Sequence, residues 1–178
     1  MPKERMTGED RRKYIVKTLK QNTSPITGSK LAKETGVSRQ VIVTDMALLK
    51  TSNEPIIATN RGYMYLDQDA NDHKHRKVIV VQHTPDQARE ELEAIVDSGV
   101  TVVDVMVEHP FYGGLTGSLM LRSRYDVDQF IKAINQRKAS LLSELTGGVH
   151  LHTIEADAED KIEQACARLK AAGILYTE

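Results

Sequence analysis

Apolar positions follow a helical spacing early in the chain and a strand-like alternation later. Between Arg11 and Lys20, the residues Tyr14, Ile15, Thr18 and Leu19 fall on one stripe. This predicts a helix entered through Gly8-Glu9-Asp10. Pro25-Ile26-Thr27-Gly28-Ser29 reads as a loop into a second, short helix through Leu31, Ala32 and Thr35, with Thr27 or Ser29 as N-cap. Gly36 supplies the left-handed residue that stops it. Ser38 caps a third helix, expected to bury Val41, Ile42, Met46, Leu48 and Leu49. A helix, a tight glycine turn and a capped helix make the helix-turn-helix arrangement. Two β-prone runs follow, Pro55 to Thr59 and Tyr63 to Leu66, joined by Asn60-Arg61-Gly62. That is a hairpin signal, and a hairpin directly after a third helix is a wing.

The acidic, aperiodic stretch Asp67-Gln68-Asp69-Ala70-Asn71-Asp72 marks a boundary, giving domains over 1–68 and 73–178. Beyond it, Lys77 to Gln82 reads as a buried strand, and Thr84-Pro85-Asp86-Gln87 as a capping box with proline at the first position. The helix so opened carries Ala88, Leu92, Ile95 and Val96 and ends at Gly99. Strands are expected over Val100 to Glu108, Leu115 to Arg122 and Val149 to Ile154, with helices over Ser123 to Lys138 and Asp157 to Gly173. The fold class is therefore α+β: a winged helix-turn-helix followed by an open-faced α+β sandwich.

Charge sharpens this division. Residues 1–66 hold 12 Lys and Arg against 6 Asp and Glu, a net of +6; the remainder holds 12 against 19, a net of −7. A basic N-terminal third joined to an acidic remainder suggests that only the first part meets a polyanion. In a helix-turn-helix the start of the third helix enters the major groove. Arg39, Gln40 and Thr44 lie there, off the apolar stripe, with Arg39 suited to guanine and Gln40 to adenine. Lys30, Ser38 and Arg61 at the wing tip are placed to hold phosphates, which fixes register without reading sequence. These assignments make double-stranded operator DNA the expected partner. No apolar run is long enough to span a bilayer, no secretory h-region opens the chain, and Cys166 is the single cysteine. The expectation is a cytoplasmic protein with no membrane partner.

The candidate chemistry lies in histidines. His150 and His152 are two apart on a predicted strand, so both point to one face. Val149 and Leu151 take the other, as expected for a sheet packed on a core. His83 sits where the first strand of this half meets its helix. On that helix Glu90 falls on the solvated side and Glu91 at the edge of the buried stripe, from which a carboxylate can reach the site. Three imidazoles and a carboxylate suit one divalent transition metal per chain (nickel, zinc or iron) and suit calcium or magnesium poorly. His73 and His75 read as solvated residues leading into a strand. His109-Pro110-Phe111-Tyr112-Gly113 reads as a sharp turn exposing His109 and Tyr112 to a small aromatic ligand, or as a plain structural turn.

The motifs His83-Thr84-Pro85 with Glu91, Glu108-His109-Pro110-Phe111-Tyr112-Gly113, and Leu145-Thr146-Gly147-Gly148-Val149-His150-Leu151-His152-Thr153 together span much of the second half. With them, nearly the whole chain resembles the niacin-responsive transcriptional repressors, which join a biotin-repressor-like winged helix-turn-helix to a three-histidine domain. The resemblance implies a homodimer that binds operators of niacin-uptake and NAD-synthesis genes. It also implies nicotinic acid as co-repressor and a metal at His83, Glu91, His150 and His152. Phe111 departs from the valine common at that position in the family, which bears on pocket shape.

Two other classes are compatible with the same residues. A histidine-bound metal beside an acid such as Glu108 could activate water, making a metal-dependent hydrolase of a nicotinate-like molecule. Against this, the second half has neither a phosphate-binding glycine loop nor a nucleophile motif. Alternatively, the second domain could serve only to dimerise the first.

Overall fold

A computed structural model describes residues 6–66 and 74–177. The chain divides into two compact units, Met1–Asp72 and His73–Glu178. Among the described residues, no helix is long and apolar enough to cross a membrane.

The first unit contains helices α1 (Gly8–Lys20), α2 (Gly28–Thr35) and α3 (Arg39–Thr51), then the antiparallel strands β1 (Ile56–Thr59) and β2 (Gly62–Tyr65). Local signals set each helix. Thr7, Thr27 and Ser38 are the N-caps, their hydroxyls accepting from the backbone N–H of Asp10, Lys30 and Val41. Gly36, at φ 69°, ends α2. Ile15, Leu19, Leu31, Ile42, Met46 and Leu49 fill the core with Ile26 and Ile56. Val41 of α3 is only half-buried, and two further positions depart from the expected stripe. Leu48 is 46% exposed, whereas Asp45 is only 2% exposed and is held by Arg11 and Arg12 of α1. A spacing rule places the acid on the stripe and discounts it for polarity. Only its two guanidinium partners make its burial possible.

The second unit has strands β3 (His75–Gln82), β4 (Thr101–His109), β5 (Gly113–Leu121) and β6 (Val149–Ala156), in spatial order β5-β4-β6-β3 with every neighbouring pair antiparallel. Helix α4 (Ala88–Val96) packs beside both α5 (Arg124–Arg137) and α6 (Glu159–Ala171), and α4 and α6 rest on the sheet. The Thr84–Gln87 cap closes a single 3-10 turn, Pro85–Gln87, which leads into α4; the Gln87 amide oxygen accepts from the Thr84 N–H at 3.2 Å. Ile79 and Val81 of β3, Val102 of β4, Leu119 and Leu121 of β5, and Ile154 and Ala156 of β6 meet Leu92, Ile95, Ala165 and Leu169 of the helices. Because β6 lies between the mutually parallel β3 and β4, its residues contact strands on both sides.

One irregularity matters for the site. Between Val102 and Met106 the pairing of β4 with β6 shifts, so β4 spends one extra residue there; Asp104 lies within that bulge.

Candidate metal centre and nucleic-acid interface

His150 and His152 share one face of β6, and that face points into the helix-covered core. Both are 2% exposed, and across the ladder they oppose the buried Val81 and Ile79. Val149 and Leu151 are half-buried on the other side. The expected alternation holds, but the imidazoles occupy the face that apolar residues were expected to take. Such burial requires polar partners.

Those partners are present on every side. His83 follows β3 and Glu91 stands on α4, 7% and 2% exposed. Glu91 Oε2 lies 2.5 Å from His83 Nε2, and Oε1 lies 3.3 Å from His150 Nε2 and 2.9 Å from His152 Nε2. Neighbouring rings stand edge to face, at 84° for His83 and His150 and 87° for His150 and His152. The Nε2 corners therefore turn toward one carboxylate.

The opposite corner of each ring is also fixed. His83 Nδ1 lies 2.7 Å from the Thr84 carbonyl, His150 Nδ1 2.9 Å from the Gly148 carbonyl, and His152 Nδ1 2.6 Å from the Asp104 carbonyl. A carbonyl oxygen only accepts, so each Nδ1 carries its proton and donates. In the neutral ring the lone pair is then on Nε2, facing Glu91. This is the arrangement that orients metal-binding histidines.

Electrostatics point the same way. Burial pushes the Glu91 carboxyl up, but the charge of His152 and the close approach of the His150, His152 and His83 rings outweigh it and hold the group well below the usual range. Burial pushes His83 and His152 down, and Glu91 more than offsets this, so both lie above the ordinary imidazole value. Glu91 is thus an anion among bases whose protons a cation could replace.

The donor set fits a borderline transition metal. His83, Glu91 and His150 each offer a ligand atom within 4.8 Å of the others, and His152 joins through Glu91. Glu91 Oε1 and His152 Nε2 are buried without a hydrogen-bond partner, although they lie close together. Two ligands on one tetrahedral cation stand about 3.3 Å apart, the separation of Glu91 Oε1 and His150 Nε2.

His109 and Tyr112 are not members of this cluster. They sit at the turn between β4 and β5, where Tyr112 is 78% and Phe111 90% exposed. His109 Nδ1 accepts from the N–H groups of Phe111 and Tyr112 at 3.2 and 3.3 Å, and its ring lies 5.1 Å from that of Tyr112. His75 is exposed on β3, and His73 lies outside the described residues.

In the first unit Lys30 on α2 is exposed, as are Ser38, Arg39, Gln40 and Thr44 at the cap and first turns of α3, and Arg61 is half-buried at the β1–β2 turn. The Ser38 hydroxyl caps α3 at 3.3 Å from the Val41 nitrogen, and Thr44 donates to the Gln40 carbonyl. The site residue that sequence reasoning missed is Asp104. Its only signal was an acid inside an apolar strand.

A helix-turn-helix with a buried cluster of three histidines and a carboxylate in the following unit defines a metal-compatible DNA-binding regulator. Comparison with known proteins agrees. Residues 11–64 match an HTH domain family and residues 76–178 match the 3H domain family. The chain is 50% identical to the transcription repressor NadR of Bacillus subtilis over 175 residues, covering 98% of this chain and 97% of that one. It is 39% identical to the probable transcription repressor NiaR of Thermotoga maritima over 170 residues, covering 96% and 95%. The chain belongs to this family, the niacin-responsive transcription repressors, and is a regulator rather than an enzyme.

Proposed function

We propose that this protein is a homodimeric, cytoplasmic repressor of niacin-uptake and NAD-synthesis genes, with nicotinic acid as its co-repressor. On this reading, residues 1–68 read DNA and residues 73–178 bind metal and ligand and dimerise. The observation that carries it is the convergence of His83, His150 and His152 on Glu91, with every Nδ1 tied to a carbonyl, in a chain that opens with a helix-turn-helix.

His83, Glu91, His150 and His152 would hold one divalent cation, with nickel, zinc and iron all suited to the set. The cation would supply an electron-poor position to attract a small carboxylate. His109 and Tyr112 are assigned to the aromatic ring of the ligand. Arg39, Gln40 and Thr44 would meet base edges, and Lys30, Ser38 and Arg61 phosphates. Ligand binding would favour a dimer whose recognition helices stand one duplex turn apart, roughly 34 Å. Linkage then requires operator DNA to tighten nicotinate binding by the factor by which nicotinate tightens DNA binding.

The test is a gel-shift titration on duplex from the protein's own promoter, with nicotinate, with chelator and with both. Nicotinate should tighten binding, and chelator should abolish that effect. Equal affinity in all arms would overturn the reading.

A further inference from the structure

Three backbone carbonyls set the proton on the three imidazoles, and one of them is available only because a strand is deformed. Thr84 adjoins His83, and Gly148 is two residues from His150, so those contacts are local. The Asp104 carbonyl belongs to a different strand, 48 residues from His152. It comes within 2.6 Å of His152 Nδ1 at the point where β4 bulges against β6.

A bulge interrupts the ladder, and the interruption needs a substitute partner. The Thr153 N–H points toward β4 within the shifted stretch, and Asp104 Oδ1 accepts from it at 2.9 Å. One residue therefore makes both contacts. Its carboxylate takes the β6 amide that the deformed ladder leaves over, and its carbonyl turns to the neighbouring imidazole. Asp104 is half-buried and outside the cluster itself.

We propose that Asp104 is a positioning residue for the metal centre: by bonding the Thr153 amide it holds the β4 bulge that aims its carbonyl at His152, so that His152 presents Nε2 to the cation. This rests on the metal reading above, and the chemistry asked of the side chain is an acceptor rather than a charge. Asn should therefore replace it, and Ala should not.

Full-length wild type, Asp104→Ala and Asp104→Asn are compared with cobalt(II) as the probe, by calorimetry and by the d–d absorption of the bound ion. Removing an outer partner of this kind weakens metal binding about 10–100-fold. That loss, with an altered absorption band, is expected for Asp104→Ala, and near wild-type values for Asp104→Asn. In parallel, nitrogen-15 NMR of the metal-free wild type at alkaline pH reads the His152 tautomer directly and is expected to find the proton on Nδ1.

Wild-type affinity and spectrum in folded Asp104→Ala would overturn the proposal. So would an Asp104→Asn protein as weak as Asp104→Ala, or a His152 proton on Nε2 in the wild type. Should Asp104→Ala fail to fold, the tautomer and the Asn variant still decide. If wild type takes up no cobalt, the metal reading fails, while the tautomers of wild type and Asp104→Asn separately decide whether Asp104 orients the ring.

Discussion

Gly148 packs directly on the backbone carbonyl of His83, leaving no room for a Cβ, and holds φ at 97°. The same glycine gives its own carbonyl to His150 Nδ1. Two of the three imidazoles are thus referenced to one residue. Gly148→Ala should lower stability by about 1–3 kcal/mol through backbone strain alone, with a further loss from displacing His83. Urea unfolding of the metal-free protein checks this; an unchanged midpoint would mean the loop relaxes freely.

Glu91 is the hub of the cluster, so its charge should control metal uptake. Adding zinc or nickel at about 1,000 times the dissociation constant should stabilise the wild type by about 4 kcal/mol. Glu91→Gln keeps the shape and removes the anion, and most of that stabilisation should vanish. Thermal unfolding with and without metal measures it, and an equal shift in both proteins would exclude Glu91 as a ligand.

The pH dependence should change sign with metal. His83 and His152 are raised above the ordinary 6.5, so without metal their contribution is full below about that pH and lost as pH rises through the raised values. Glu91 is depressed, so its contribution is present above the ordinary 4.5 and lost as pH falls through its lowered value. For these groups the metal-free protein is most stable between about pH 4.5 and 6.5. Metal binding displaces the Nε2 protons, so affinity should climb with pH over the same range in which the bare protein weakens. Melting temperatures from pH 5 to 9, in chelator and in excess zinc, should slope in opposite directions; parallel slopes would contradict this account.

Asp45 is a structural anion rather than a DNA contact. Arg11 and Arg12 reach it at 2.5 and 3.3 Å, and Asp45 pulls the Arg11 guanidinium above its usual value. Asp45→Ala would leave those cations half-buried without their acceptor, costing about 2–3 kcal/mol. The loss should show in the unfolding of the N-terminal unit, with metal uptake intact.

On DNA, two exposed cations should separate by behaviour. Arg39→Ala should cost about 1–3 kcal/mol on the preferred operator and relax selectivity at one base position. Lys30→Ala should weaken all duplexes alike and reduce the slope of log K against log salt by about 1. Salt-series titrations on matched and mismatched duplexes distinguish the two, and identical profiles would refute the division of roles.

The sequence by itself determined the elements with local causes. Thr27, Gly36 and Ser38 mark the turn between α2 and α3 because a hydroxyl cap and a left-handed glycine act within a few residues. Alternation set the strands, and the helical wheel singled out Glu91 over Glu90, since burial on an amphipathic helix follows angle. What only the tertiary structure decided depends on partners far along the chain. Alternation shows that His150 and His152 share a face but not which face is inward, because Val149 and Leu151 would suit either side. Asp45 is buried because α1 brings two arginines to it, and Leu48 is exposed although it was expected on the apolar stripe. The Asp104 bulge arises where β4 pairs with β6 across 48 residues, and register between distant strands leaves no local mark on either one.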